Sequence, residues 1–238
     1  MIDLSVVVPA YNEENKIEES LRRIEAFLDL KGCRWELLVS SNGSKDRTDE
    51  LVHSFADARP GKKIRLLPAS GQEGKGAAVR LGVLAASGEY ILVTDADLSA
   101  PIKEVDKLIR ALEKGFDIAI GSRAIRAPGC DVRQSFKRRF MGRVFNLLVR
   151  SIVIGDFYDT QCGFKCFKRG VAHELFRRQK LDHFAFDVEI LYLAKLKGLK
   201  VCEVPVMWSE GKDSRVNLIK DPLVMVKDLF YIKQTHGS

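Results

Sequence analysis

Short apolar runs alternate with amphipathic stretches from Leu4 to Arg123, and few folds accept that rhythm. Leu4–Pro9 reads as a strand that the proline stops. Glu13–Leu30 follows as a helix with Ile17, Leu21, Ile24 and Leu28 on one stripe. Asn12 is a fair N-cap, and Glu13 and Glu14 suit the first turn. Trp35–Val39 and Ile64–Leu67 read as strands, separated by a turn at Asn42-Gly43-Ser44 and a helix over Lys45–Phe55. Gly71, Gly74 and Gly76 form a glycine-rich loop before a helix at Ala77–Ala86. Tyr90–Thr94 is the next strand, Pro101–Lys114 a helix ended by Gly115, and Asp117–Gly121 a short strand leading to Ser122-Arg123. Five strands alternating with four helices predict an α/β fold, a mostly parallel sheet covered by helices on both faces.

In such sheets, ligands gather beyond the carboxyl ends of the strands. The stretches Pro9–Glu13, Ser41–Ser44, Asp95–Asp97 and Ser122-Arg123 all fall at such ends. Asp95 and Asp97 follow at the end of the apolar, partly β-branched strand Tyr90–Thr94, and residues two apart in a strand point to the same side. Paired carboxylates make a hard oxygen site that suits Mg²⁺ or Mn²⁺ carrying a diphosphate. The plainer alternative is that they cap the next helix, because Asp and Ser are ordinary turn residues.

Beyond Arg123 the rhythm changes. Ser135–Ile152 reads as a helix with Phe136, Phe140, Val144, Leu147 and Leu148 on one side and a stripe of Arg139, Arg143 and Arg150 beside it. This pattern suits an interfacial helix on an anionic membrane, or a helix packed on the domain with a solvated basic face. Thr160–Lys165 reads as a turn leading to Cys166-Phe167, Phe186–Lys197 as a helix stopped by Gly198, and Val201–Met207 as a strand. Asp221-Pro222 opens a last helix that runs to about Ile232. The division is one domain over 1–210, including the basic helix near 135–152, with a helical extension over 211–238.

The chain carries a net charge of +7, which favours anionic partners, and 132–155 holds six Lys or Arg and no acid. No apolar run approaches the length of a transmembrane helix, and the N-terminus lacks a signal-peptide pattern. Five scattered cysteines without a second pair for zinc read as reduced core thiols. A cytoplasmic chain, peripheral on the cytoplasmic face of a membrane, is therefore expected. A nucleic-acid partner is not, because the basic stretch comes without a recognisable motif or stacking platform.

Val8-Pro-Ala-Tyr-Asn-Glu-Glu, Asn42-Gly-Ser-Lys-Asp-Arg-Thr, Gly74-Lys-Gly-Ala-Ala, Asp95-Ala-Asp and Gly121-Ser-Arg, in that order, resemble the inverting GT-A glycosyltransferases of family 2. Asp159-Thr-Gln-Cys-Gly-Phe-Lys, Phe184-Ala-Phe-Asp-Val-Glu and Glu203-Val-Pro-Val-Met-Trp are similar to dolichyl-phosphate β-glucosyltransferases and their prokaryotic relatives. The resemblance implies a Rossmann-like GT-A fold and inverting transfer of a hexose from a nucleotide sugar, UDP-glucose first, to a polyprenyl or dolichyl phosphate. UDP-N-acetylglucosamine and GDP-mannose are the rival donors. A catalytically weak nucleotide-sugar-binding or membrane scaffold protein is the rival of another class.

By that resemblance, Pro9, Ala10, Tyr11, Glu13, Ser41 and Ala96 line the donor pocket. Asp95 and Asp97 hold Mg²⁺ or Mn²⁺, and Arg123 sits near the phosphates. Lys75, in its glycine-rich loop, approaches the donor or simply starts a helix. Asp187 positions the acceptor or neighbouring cations, or is a structural carboxylate at a helix start. Arg138, Arg139 and Arg215 face the acceptor phosphate or remain solvated surface charges. One position departs from the family, whose first acid before Asn-Gly-Ser is replaced here by Ser41. A serine there carries no charge and reaches less far.

Overall fold

The computed structural model describes residues 2–68, 71, 74–211 and 220–237, without the side chains of 137, 138 and 220–224. Four parallel strands make the first half of the sheet: β1 (Leu4–Ala10), β2 (Trp35–Ser41), β3 (Ile64–Leu67) and β4 (Tyr90–Val93). They are linked by the helices α1 (Ile17–Lys31), α2 (Thr48–Asp57) and α3 (Lys75–Ala85). A 3₁₀ turn at Ile102–Glu104 leads into α4 (Val105–Glu113) and then β5 (Ile118–Ser122). The second half adds β6 (Val132–Arg133), α5 (Phe136–Ile152), β7 (Lys165–Lys168), α6 (Arg169–Arg178) and α7 (Phe186–Leu196). It closes with β8 (Val201–Pro205), β9 (Trp208–Ser209) and α8 (Lys220–His236).

The seven-stranded sheet has the order β3-β2-β1-β4-β7-β5-β8, and β6 pairs with β9 in a small separate ribbon. The strand residues alternate between two cores, as the pleat requires. Val6, Val8, Leu37 and Leu92 join Ile17, Leu21, Val52 and Leu108 of α1, α2 and α4 on one face. Val7, Leu38, Ile91 and Val93 join α3, α5, α6, α7 and α8 on the other, where Leu229 and Ile232 of α8 are fully buried.

Three local expectations change. The helices α1 and α2 start late because the loops before them tie each other down. Ser44 Oγ accepts the Asn12 N–H, Thr48 Oγ1 the Glu13 N–H, and Asp46 Oδ2 the Glu14 N–H. Asn12 is therefore no N-cap: it has φ 51°, and its Oδ1 accepts the Lys45 N–H at 2.7 Å. The last helix runs on to His236, beyond the expected end at Ile232.

The third change matters most. The segment read as a turn into Cys166-Phe167 continues as a central strand, β7, antiparallel to both β4 and β5, and α6 follows directly. Four residues with lysines at both ends give little strand signal. Because β7 runs backwards, its first residue lies at the edge where its parallel neighbours end. Lys165 is in register with Val93 on one side and Ile120 on the other.

Candidate active site

Asp95 and Asp97 do not lie within a strand. β4 ends at Val93, and a turn follows in which the Leu98 N–H reaches the Asp95 carbonyl at 3.1 Å and Leu98 has φ 49°. Strand alternation therefore does not place the two carboxylates; the turn does. Nor do they cap a helix: Asp97 Oδ1 accepts the Ser99 N–H at 2.9 Å, a local Asx turn, and the 3₁₀ segment has no side-chain cap.

Both carboxylates rest on glycine. A Cβ on Gly163 would lie 2.2 Å from Asp95 Oδ2, and one on Gly211 would lie 2.3 Å from Asp97 Oδ2. Any side chain at either position would push a carboxylate out of place. Among the described residues, no group of three or more His, Cys, Asp or Glu side chains gathers to hold a metal alone. Two carboxylates in a glycine cradle still suit Mg²⁺ or Mn²⁺, because such ions complete their shell with substrate phosphates and water.

Two lysines enter from either side. Lys75, the first residue of α3, puts its Nζ 2.6 Å from Asp95 Oδ1. Burial opposes its charge, but Asp95 and then Asp187 outweigh it and hold the ammonium above the ordinary lysine range. Lys165 is buried, with its Nζ 2.7 Å from Asp187 Oδ1 and bonded to the Cys162 carbonyl. Burial raises the Asp187 carboxyl, and Lys165 and Lys75 offset only part of that rise. Lys75, Gly163, Lys165 and Asp187 line one small cavity, closed on its apolar side by Phe167 and Phe176.

Arg123, just past β5, is clamped. Its Nε and Nη2 donate to the two oxygens of Asp159 at 2.7 Å each, its backbone N–H adds a third bond, and its guanidinium lies over the Trp208 ring. Burial opposes both charges, but the pair overrides it: Asp159 is held below the usual carboxylate range and Arg123 above the usual arginine range. Asp95 also lies within electrostatic reach of Arg123. Burial pushes the thiols of Cys162 and Cys166 up to about 12, as suits inert core thiols; the other three cysteines, Cys33, Cys130 and Cys202, are free but only half-buried.

The other expected residues fall in separate places. Pro9 and Ala10 end β1, with Ala10 in register with Ser41 and followed by the exposed Tyr11 and the half-buried Glu13. Ser41 is buried and turned inward: its hydroxyl lies 2.9 Å from both oxygens of Asp49, and it accepts the Gly43 N–H. Ala96 is buried between the two aspartates. Arg139 is exposed on α5; the Arg138 side chain and all of Arg215 lie outside the described residues. The apolar stripe of α5 faces outward, with Phe136 82%, Phe140 58% and Leu147 63% exposed, and the helix is anchored instead by Phe145 and Val149. Among the described residues, no helix is long and apolar enough to cross a membrane.

The sequence reading assigns no site role to Asp159, Gly163, Lys165, Trp208 or Gly211. The first four lie inside segments that carry the family resemblance, so a signal was present, but only the reversed direction of β7 gives it a place.

Comparison with known proteins agrees with this architecture. Glucosyl-3-phosphoglycerate synthase from Mycobacterium tuberculosis, in complex with Mn²⁺, uridine-diphosphate-glucose and phosphoglyceric acid, aligns at a TM-score of 0.71 over 98% of this chain and 79% of that one, with 18% sequence identity. At that identity the likeness establishes the fold. Three proteins named dolichyl-phosphate beta-glucosyltransferase are nearer in sequence. The Drosophila melanogaster protein is 38% identical, covering 97% of this chain and 74% of its own length. That of Saccharomyces cerevisiae is 35% identical, covering 99% and 75%, and that of Homo sapiens 33% identical, covering 97% and 74%. The pattern described as Glycosyl transferase family 2 matches residues 5–176, which run from β1 into α6 and include Asp95, Asp97, Arg123 and Lys165. On fold, sequence and the grouping of charge at one sheet edge, the chain belongs to glycosyl transferase family 2.

Proposed function

We propose that this glycosyltransferase moves glucose from UDP-glucose to a polyprenyl phosphate of the dolichyl type, with inversion at the anomeric carbon. The observation that carries the reading is the meeting of Asp95, Asp97, Lys75, Lys165 and Asp187 at one sheet edge. The relatives named for transfer to dolichyl phosphate, similar over nearly the whole chain, support the acceptor class.

The donor lies along the ends of β1 and β2, against Pro9, Ala10, Tyr11, Glu13 and Ala96, with Ser41 acting there through Asp49. Asp95 and Asp97 hold Mg²⁺ or Mn²⁺, which when bound supplies a Lewis acid against the charge of the departing diphosphate. Arg123, fixed by Asp159, keeps a guanidinium beside Asp95. A phosphate acceptor is already anionic at pH 7, so its attack needs no strong general base. Asp187 fits that requirement: tied to Lys165, it keeps an ammonium at the cavity instead of taking a proton.

The acceptor reaches the site from the side of α5, where Arg139 offers a cation; Arg138 and Arg215 are assigned to the acceptor phosphate from the sequence, and their side chains lie outside the described residues. The exposed Phe136, Phe140 and Leu147 beside Arg139 and Arg143 suit an anionic bilayer surface, where a polyprenyl phosphate resides. The test is a transfer assay crossing UDP-glucose, UDP-N-acetylglucosamine and GDP-mannose with short polyprenyl phosphates. Product from UDP-glucose, dependent on Mg²⁺ or Mn²⁺, is expected. Preference for another donor would overturn the sugar assignment, and binding of UDP without transfer to any acceptor would overturn the enzymatic one.

A further inference from the structure

We infer that Lys75 is a built-in competitor for the metal: its ammonium holds the Asp95 carboxylate in the nucleotide-free enzyme and gives it up when a divalent ion arrives with the donor. This rests on the reading of Asp95 and Asp97 as the metal-binding pair.

The position of Lys75 is the first argument. It opens α3, and no acidic residue shares that first turn. A cation at a helix N-terminus is opposed by the macrodipole, so the helix gains nothing from a lysine there. What compensates is Asp95, at 2.6 Å. The chain before it is shaped for this approach: Gly74 has φ 129°, a backbone conformation that L side chains rarely adopt.

The surroundings supply the second argument. Lys75 feels three carboxylates, Asp95, Asp187 and Asp97. Asp95 is the nearest, and a divalent ion would need it too. Two cations cannot share one carboxylate in a half-buried site without strong repulsion. A displaced Lys75 has somewhere to go, because its side chain and Asp187 line the same cavity. Asp187 is tied to Lys165 through Oδ1, and among the described residues its second oxygen accepts no hydrogen bond. The swap from Asp95 to Asp187 keeps the ammonium paired in both states.

Asp97 behaves differently. Among the described residues it accepts the Ser99 N–H and makes no ion pair, with Lys75 reaching it only at longer range. The bare ion therefore meets one open carboxylate and one blocked by Lys75. Binding to the empty enzyme is weakened, and the ion is favoured when the donor diphosphate contributes further oxygens. Metal and nucleotide then enter as a unit.

Mn²⁺ binding to the full chain without nucleotide, read from the electron paramagnetic resonance signal of free Mn²⁺, tests this. Lys75→Met should bind Mn²⁺ about five-fold more tightly than the wild type, the worth of one partly screened ion pair. Lys75→Arg, which keeps the charge, should stay within about two-fold of wild type. Lys75→Gln is a second neutral variant should the methionine disturb the fold. Asp97→Asn in the Lys75→Met background should remove the gain. Equal or weaker binding by both neutral variants, with Asp97→Asn still lowering affinity, would overturn the competition and leave the aspartate pair standing. Mn²⁺ binding indifferent to Asp97→Asn in every background would overturn the metal-site reading and the inference with it.

Discussion

The edge of the sheet and the outer face of α5 both set charge beside apolar residues, and they do so in opposite ways. At the edge each cation is answered: Lys75 by Asp95, Lys165 by Asp187, Arg123 by Asp159, over glycines that leave no room for a methyl group. On α5 Arg139, Arg143 and Arg150 are exposed, and Phe136, Phe140 and Leu147 face outward. The first arrangement fixes atoms at the proposed site. The second leaves a surface that gains by meeting something else. Similar residue types thus serve geometry in one place and adhesion in the other, and burial decides which.

The largest expected effect breaks a charge pair at the edge. Asp159→Asn leaves Arg123 buried without its counter-charge and should cost about 3–5 kcal/mol at pH 7. Arg143→Gln, an equal change of charge on α5, should stay within about 0.5 kcal/mol. The pH dependence has a fixed sign. The Asp159 carboxyl is held below the ordinary aspartate value of 3.8, so its contribution is present above that value and is lost as pH falls through the lower folded value. The gap between wild type and Asp159→Asn in denaturant melts should therefore close in strong acid. A gap that widened there would contradict the pairing.

Gly163→Ala comes next. The added methyl group displaces Asp95, and transfer should fall by about a hundred-fold, or ~2.7 kcal/mol in activation free energy, with little change in melting temperature. Arg139→Glu with Arg143→Glu should weaken co-sedimentation with anionic vesicles by about thirty-fold, near 1 kcal/mol for each arginine lost, with the effect fading at high salt. Transfer to a short, water-soluble acceptor should fall much less. A small effect of the opposite sign is expected of Gly142→Ala in the middle of α5, where a Cβ meets nothing within 4 Å. It should stabilise the chain by about 0.5–1 kcal/mol without loss of transfer. Opposite outcomes for the two glycine-to-alanine changes would be the clearest sign that burial separates the regions.

The first half of the fold was legible because its strands and helices each carry a strong period. Ile17, Leu21, Ile24 and Leu28 are all buried on one face of α1, as their spacing requires. β7 was not legible. Lys165–Lys168 is short and charged at both ends, and it becomes a strand only because β4 and β5 offer it edges on both sides. That is a tertiary cause with no local trace. The site followed the same division. Asp95 and Asp97 stood out as carboxylates after an apolar run, while Gly163 and Lys165 gained meaning only once β7 brought them to the edge. For α5, the helix was plain from its spacing, but the side that anchors it was not. The stripe with more apolar residues faces out, and Phe145 and Val149 hold the helix down.

The Asp95–Asp97 turn is the proposed reacting end of this glucosyltransferase. The most direct test is the rate at which labelled glucose passes from UDP-glucose to a short polyprenyl phosphate, for wild type and Asp97→Asn matched in melting temperature. The account predicts transfer by the wild type and a fall of about a hundred-fold or more in the variant. Transfer by Asp97→Asn within about two-fold of wild type would contradict it.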